Sequence, residues 1–174
     1  MATAREWFED FASEEYDWCG DVYFEFWCAR MRVRLDKLPR GEYSPVDGPP
    51  SDRQFEMLDA IIQYRADFLT TLESALFRYY QEHGYGAATI ISGGVDITER
   101  VAPELRSPAE IWKLIRAPYL SIPRLEDDGH DVAFLVMMDC TWDEEHGVCA
   151  VVRNWEISED EVGSVGQFYD VFRK

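Results

Sequence analysis

The fold of this chain is decided by residues 131–153, DVAFLVMMDCTWDEEHGVCAVVR. Two apolar runs, 132–138 and 148–152, flank a charged corner at residues 142–147. The first run is apolar at both side-chain parities, which is typical of a strand buried on both faces, and the second is short and rich in β-branched residues. Gly147 can adopt positive φ and therefore suits the end of a hairpin loop. The stretch predicts two adjacent antiparallel strands joined at the corner.

A register that pairs Thr141 with Val148 keeps apolar side chains opposite one another and places Cys140 opposite Cys149. The four cysteines lack the Cys-x-x-Cys spacing of zinc or redox sites, so we expect reduced and partly buried thiols. A disulfide between Cys140 and Cys149 would need an oxidising compartment.

A second hairpin is predicted on either side of Cys28-Ala29, where apolar residues alternate with polar ones. A bend at these two residues places Val22 opposite Leu35. The same bend places Glu25 opposite Arg32, an attractive charge pair. Cys-Ala is a poor turn sequence, so a longer loop or a bulge remains open. A solvated sheet face with acidic neighbours explains the basic row of the second strand better than a phosphate site does; the row is Arg30, Arg32 and Arg34.

The helical part of the chain begins with a capping box at residues 51–54, SDRQ. Apolar residues follow at helical spacing over 55–83, and because this run is long for one helix we expect a break at 65–67. Residues 107–110, SPAE, form a second capping box, which opens a short helix that ends before Pro118.

The chain is therefore predicted to form a single α+β domain over residues 1–174, with an antiparallel sheet packed against the helical segment. Hydrophobic residues make up 47% of the chain and aromatic residues 14%, which excludes a disordered acidic protein. No stretch approaches the ~20 apolar residues of a membrane span, and the N-terminus has no apolar signal-peptide core. We expect a cytoplasmic protein.

Charge is the most informative property of the composition. The chain has 34 Asp and Glu against 17 Lys and Arg, a net charge of −17. Such a field repels nucleic acids and anionic membranes, whose phosphates need Lys and Arg partners. It attracts a basic protein and speeds the encounter with it, although solubility alone is the competing explanation. We expect a basic protein as partner, with no nucleic acid, no membrane and no cofactor.

An acidic and aromatic segment near the N-terminus is the first candidate binding surface. Its aromatic residues are too large to remain all exposed, so we expect it to pack on the body of the protein with its carboxylates outward. Aromatic anchors ringed by charge are typical of tight interfaces. The candidate binding residues are Trp7, Glu9, Asp10, Phe11, Glu14, Glu15, Asp17 and Trp18.

The corner is the second candidate surface, because it holds the densest cluster of acid–base groups: Asp143, Glu144, Glu145 and His146. A carboxylate beside a histidine can bind a divalent metal or transfer a proton. Four consecutive side chains diverge, however, and no second His-rich segment completes a metal site. We therefore predict a hydrogen-bonded turn without a metal, in which Trp142 anchors the corner in the core. Residues 127–131 would extend this surface.

Residues 142–147, followed by an apolar strand, resemble the Trp-Asp-x-Glu-His-Gly signature of uncharacterised bacterial domain families. Residues 18–22, 76–80 and 107–110 fall in the order expected of those families, so the resemblance covers most of residues 18–157. Some members resemble immunity proteins encoded near polymorphic-toxin genes, which implies a protein that neutralises a basic toxin. The resemblance assigns no catalytic residues. A metal-assisted or acid–base enzyme that uses the corner, and a self-assembling structural protein, are the alternatives.

Overall fold

The protein is built on a mostly antiparallel sheet of seven strands. The structure is a computed structural model, which describes residues 4–8, 11–39, 45, 48–64, 68–86, 89–124 and 132–168. In chain order the strands are β1 (Ala12–Ser13), β2 (Asp17–Phe24), β3 (Ala29–Pro39), β4 (Ile91–Ser92), β5 (Val95–Asp96), β6 (Ile115–Arg124), β7 (Ala133–Cys140), β8 (Asp143–Arg153) and β9 (Val162–Gly163). The sheet order is β1-β2-β3-β6-β7-β8-β9, and β4 and β5 form a separate hairpin. Among these described pairs, only β3 and β6 run parallel. The predicted α+β class is confirmed.

The helices lie mainly between β3 and β6. They are α1 (Ala4–Trp7), α2 (Asp52–Gln63), α3 (Phe68–Tyr79), which continues as a π-helical turn (Tyr80–Gly84), α4 (Thr98–Val101) and α5 (Val165–Phe168). Short 3-10 helices span Glu25–Trp27, Pro108–Lys113 and Glu159–Glu161. The predicted division into two helices is confirmed by the end of α2 and the start of α3, while residues 65–67 lie outside the described residues. None of the helices described has the length and apolar character needed to cross a membrane.

Helices α2 and α3 pack against one face of the sheet. Alternation along β2 and β3 sends their apolar side chains to this face, where Val22, Phe24, Val33 and Leu35 are fully buried. The buried residues that α2 and α3 contribute to the same core include Leu58, Ile61, Leu72 and Leu76. Strands β7 and β8 are buried at both parities over residues 133–138 and 148–152, as their apolar runs predict.

The central hairpin of β7 and β8 is confirmed, but its predicted register is wrong. Val148 lies opposite Met138 rather than Thr141, and Cys149 lies opposite Met137. The chain turns at Thr141-Trp142, and residues 144–147 bulge opposite a single residue of β7. Because both strands are buried on both faces, the apolar pattern did not select one register. Cys140 and Cys149 are therefore not cross-strand neighbours, and burial raises the pKa of each thiol to about 12.

The hairpin of β2 and β3 is also confirmed with a different register. Val22 lies opposite Met31, and Arg32 lies opposite Asp21 rather than Glu25. The bend takes up Glu25–Trp27 as a 3-10 turn and ends at Cys28, whose φ of 52° is left-handed. The longer loop that the sequence left open is the one that forms. The register changes by an even number of residues, so the apolar face stays inward.

The two predicted capping boxes have different outcomes. The box at Ser51 is confirmed, since its side chain accepts the Gln54 N–H at 3.2 Å. The box at Ser107 is wrong, because the Glu110 carboxylate accepts the backbone N–H of Arg106 at 2.8 Å instead. Proline does stand at the start of that helix, which is a 3-10 helix. The strand that follows continues through Pro118, because its register with β7 shifts there.

Gln54 is a polar residue that is fully buried, at 0% exposure. Its Nε2 donates to the carbonyl of Asp36 at 2.9 Å and to that of Ile122 at 3.0 Å, while its Oε1 accepts the N–H of Ser51 at 3.1 Å. Asp36 belongs to β3 and Ile122 to β6, and the register of this parallel pair shifts just after Leu35. One buried amide therefore closes the end of the parallel join and fixes the first turn of α2 to it.

Replacing Gln54 by Leu is expected to lower the free energy of unfolding by about 2–4 kcal/mol, since two carbonyls lose their donor and each buried unsatisfied acceptor costs about 1–3 kcal/mol. Gln63→Leu is the matched control: Gln63 is exposed on the same helix, and its change should stay within about 0.5 kcal/mol. Urea unfolding measures both. Equal effects of the two substitutions would contradict the role given to Gln54.

Candidate interaction surface at the Trp142–Gly147 corner

The corner is fastened to the body of the protein by its turn, Thr141-Trp142. The backbone N–H of Thr141 donates to the carbonyl of Leu114 at 3.0 Å, just before β6 begins. Its hydroxyl donates to the carbonyl of Val101 at 2.5 Å, at the end of α4. The turn is therefore tied to two segments that are distant in sequence, which gives it a fixed position.

Trp142 packs against the π-helical turn that ends α3. Its ring meets that of Tyr80 edge-on, with centroids 4.9 Å apart, and Tyr80 is fully buried. The hydroxyl of Tyr80 donates to the carbonyl of Pro103, and burial raises the pKa of this tyrosine to about 12. A Cβ on Gly84 would lie 2.5 Å from the Tyr80 ring and 3.2 Å from that of Trp142, so only glycine fits there. Trp142 is half-buried and anchors the corner, as the sequence predicted.

Asp143 and His146 form a local hydrogen-bonded turn. The Oδ1 of Asp143 accepts the backbone N–H of His146 at 3.1 Å and lies 3.0 Å from Nδ1 of the same imidazole. The Cys140 thiol donates to the carbonyl of Asp143 at 3.5 Å. The prediction that Asp143 bonds a backbone amide is confirmed. Within the described part of the chain, no three His, Cys, Asp or Glu side chains are grouped so that they could hold a metal ion.

Glu144 and Glu145 are exposed at the outer end of β8. No Lys or Arg of the described ranges forms an ion pair with either carboxylate. Asp139, across the bulge on β7, is exposed as well, and the exposed Arg116 of β6 lies opposite it in the sheet. The corner thus presents carboxylates to solvent on a fixed backbone.

The N-terminal candidate surface is arranged differently. Trp18 is buried at 7% exposure, and Phe11 packs against Gly20, so these aromatic residues belong to the body of the protein. Asp17 is buried too, which differs from the expectation that its carboxylate points outward. It pairs with Arg34 at 2.6 Å. Burial has the largest effect on the pKa of the Asp17 carboxyl, and the pKa is raised.

The remaining acids of that surface meet cations from β3. Exposed Glu14 pairs with Arg32 at 2.9 Å, and its backbone carbonyl accepts from Lys37. Lys37 also lies over the ring of Trp18, 4.6 Å from its centroid. Glu15 is exposed. Glu9, Asp10, the side chain of Trp7 and residues 127–131 lie outside the described residues. Two cations of β3, Arg32 and Arg34, therefore pair with two of the five acids predicted for this surface, Glu14 and Asp17.

Sequence reasoning missed two features at the corner end of the molecule. The first is the buried Tyr80 with its close neighbour Gly84, which the helical pattern did not separate from the rest of α3. The second is the hairpin of β4 and β5, whose signal was the pair Gly93-Gly94 between two short β-branched segments. Tyr79 also lies near the corner, and its pKa is raised by burial and then by the charge of Asp143.

Gly147 determines the path of the bulge. Its φ is +64°, and a Cβ added to it would lie 2.5 Å from the carbonyl oxygen of Met138. Gly147→Ala should therefore lower the free energy of unfolding by about 2 kcal/mol or more, because strain and a backbone clash add. Gly166→Ala is the control, since nothing lies within 4 Å of its added Cβ and it sits in α5. That control should be neutral or slightly stabilising. Thermal and urea unfolding compare the two, and a harmless Gly147→Ala would contradict this description of the bulge.

Comparison with known proteins identifies the family without an activity. No curated protein matches the chain, and no solved structure matches it. One family model matches residues 7–169, which span almost the whole chain and include both candidate surfaces. The protein belongs to the family described as domain of unknown function DUF6985.

Proposed function

We propose that this chain is a small cytoplasmic binding protein that uses its acidic corner to capture a basic protein, as an immunity protein captures a toxin. The observation that carries the proposal is the contrast between the two candidate surfaces. At the N-terminal surface Asp17 and Glu14 are matched by Arg34 and Arg32. At the corner Glu144 and Glu145 are exposed, and no Lys or Arg of the described residues forms an ion pair with either.

The corner also has the rigidity that binding favours. Its turn is held by hydrogen bonds to Leu114 and Val101, and Trp142 packs on the buried Tyr80. A surface that is already ordered loses little conformational entropy when a partner binds. Because the whole chain carries a net charge of −17, this surface attracts a basic partner over a long range.

The enzyme alternative receives no comparable support. Asp143 and His146 are three residues apart in one bulge, and their contact is the ordinary hydrogen bond of an Asx-type turn. His146 is 60% exposed. A general base usually needs a site that is partly shielded from water, because shielding strengthens the interactions that control its proton.

Charge reversal tests the proposal. Glu144→Lys with Glu145→Lys should abolish most capture of basic proteins from the native cytoplasm by the immobilised chain. Glu156→Lys with Asp160→Lys is the matched control, because it makes the same change in net charge at two exposed carboxylates that have no Lys or Arg ion pair within the described residues. That site lies beyond the other end of β8, about 30 Å from the corner along this strand.

Salt supplies the second part of this test. The Debye length falls from about 10 Å at 0.1 M salt to about 3 Å at 1 M, so association of the captured protein should slow steeply as salt is added. The proposal fails if the wild-type chain captures no basic protein. It also fails if the corner variant captures as much as the control variant does.

A further inference from the structure

The hairpin of β4 and β5 exposes apolar side chains. All six of its residues, 91–96, are exposed, and Ile91 and Val95 remain 58% and 62% accessible to solvent. They are the most exposed large hydrophobic residues of the described chain. Single exposed apolar residues are ordinary, but two on one projecting hairpin are not explained by packing within the chain.

The hairpin has a fixed shape although it buries little. Gly93 and Gly94 have φ of +57° and +79°, the signs that a type I′ turn needs at its two central positions. At its base, Asp96 accepts the N–H of Thr98 at 2.9 Å, and the Thr98 hydroxyl accepts the N–H of Ile90 at 2.8 Å. The backbone that carries the two exposed side chains is therefore ordered by hydrogen bonds within the chain, which lowers the entropy that a partner's binding would cost.

The hairpin stands beside the corner. Helix α4 follows it directly, and the four residues of this helix rise about 6 Å. The carbonyl of Val101, the last residue of α4, accepts the hydroxyl of Thr141 in the corner turn. One partner can therefore touch both the hairpin and the corner.

The pairing of the hairpin indicates the shape of that partner. Ile91 lies opposite Asp96 and Ser92 opposite Val95, so Ile91 and Val95 point to opposite faces. A flat surface covers one of these side chains. A cleft covers both.

Charge indicates the chemistry of the cleft. Asp96 and Glu99 are exposed at the base of the hairpin, and α4 also carries the exposed Arg100. The corner adds two further exposed carboxylates, Glu144 and Glu145. A second copy of the chain would bring like charges together. We infer that the hairpin inserts into an apolar cleft, rimmed by Lys and Arg, on a basic protein that also contacts the corner. This inference rests on the proposed function and names the apolar half of the same interface.

A library of disulfide-closed random peptides, selected on the immobilised wild-type chain, provides a defined probe. The enriched peptides should combine Lys or Arg with large apolar residues. Ile91→Thr with Val95→Thr should weaken the tightest of them about tenfold or more, chiefly through faster dissociation, because apolar anchors act on the dissociation rate. Both residues are exposed, and threonine keeps a β-branched side chain at each position. An unchanged melting temperature of the variant would show that it folds normally. Tyr23→Ser, exposed on β2, is the control and should change nothing.

The acidic variant separates this inference from the proposed function. Glu144→Lys with Glu145→Lys should slow association of the same peptide and flatten its salt dependence. If that variant acts but Ile91→Thr with Val95→Thr does not, the hairpin inference fails and the proposed function stands. The reverse result overturns the proposed function and with it the claim that one partner contacts both the hairpin and the corner, and no effect of either variant overturns both. Enriched peptides that lack cations would contradict a cleft on a basic protein. So would sedimentation that shows a dimer of the wild-type chain and a monomer of the hairpin variant, because a second copy would then bind the hairpin.

Discussion

The parallel join between β3 and β6 is the constraint on which the rest of the structure depends. Each half of the sheet pairs antiparallel within itself, but a parallel join needs a long crossover, and this one contains α2 and α3. Gln54 ties the first turn of α2 to the carbonyls of Asp36 and Ile122, where the join ends. With that end fixed, α3 runs back along the sheet and places Tyr80 against Trp142 at the corner. The position of Trp142 therefore depends on the parallel join.

The sequence predicted which elements form better than how they pair. The apolar runs of β7 and β8 and the capping box at Ser51 are local patterns, and both were read correctly. The registers of the two hairpins, β2 with β3 and β7 with β8, depend on packing across strands and not on local patterns. Burial on both faces left the β7–β8 pairing open, and the turn at Cys28 used residues that alternate like a strand. The box at Ser107 failed because the backbone of Arg106 competed for the same carboxylate.

The candidate surfaces show the same division. Density of charge in the sequence located Glu144 and Glu145, and both are exposed. The pairing of Glu14 with Arg32 and of Asp17 with Arg34 could not be predicted, because it depends on the register of β2 with β3. The charged neighbours of Trp18 predict an interface anchor, yet its large aromatic ring is buried in the core. Exposure, unlike composition, is a property of the folded chain.

We propose that the corner end of the molecule, rather than the N-terminal acidic segment, is the binding surface. Amide hydrogen exchange of the chain, measured with and without the basic protein that it captures, tests this most directly. We expect slowed exchange at residues 142–147 and at the hairpin 91–96, with residues 12–24 unchanged. Slowed exchange centred on residues 12–24, with the corner unchanged, would contradict it.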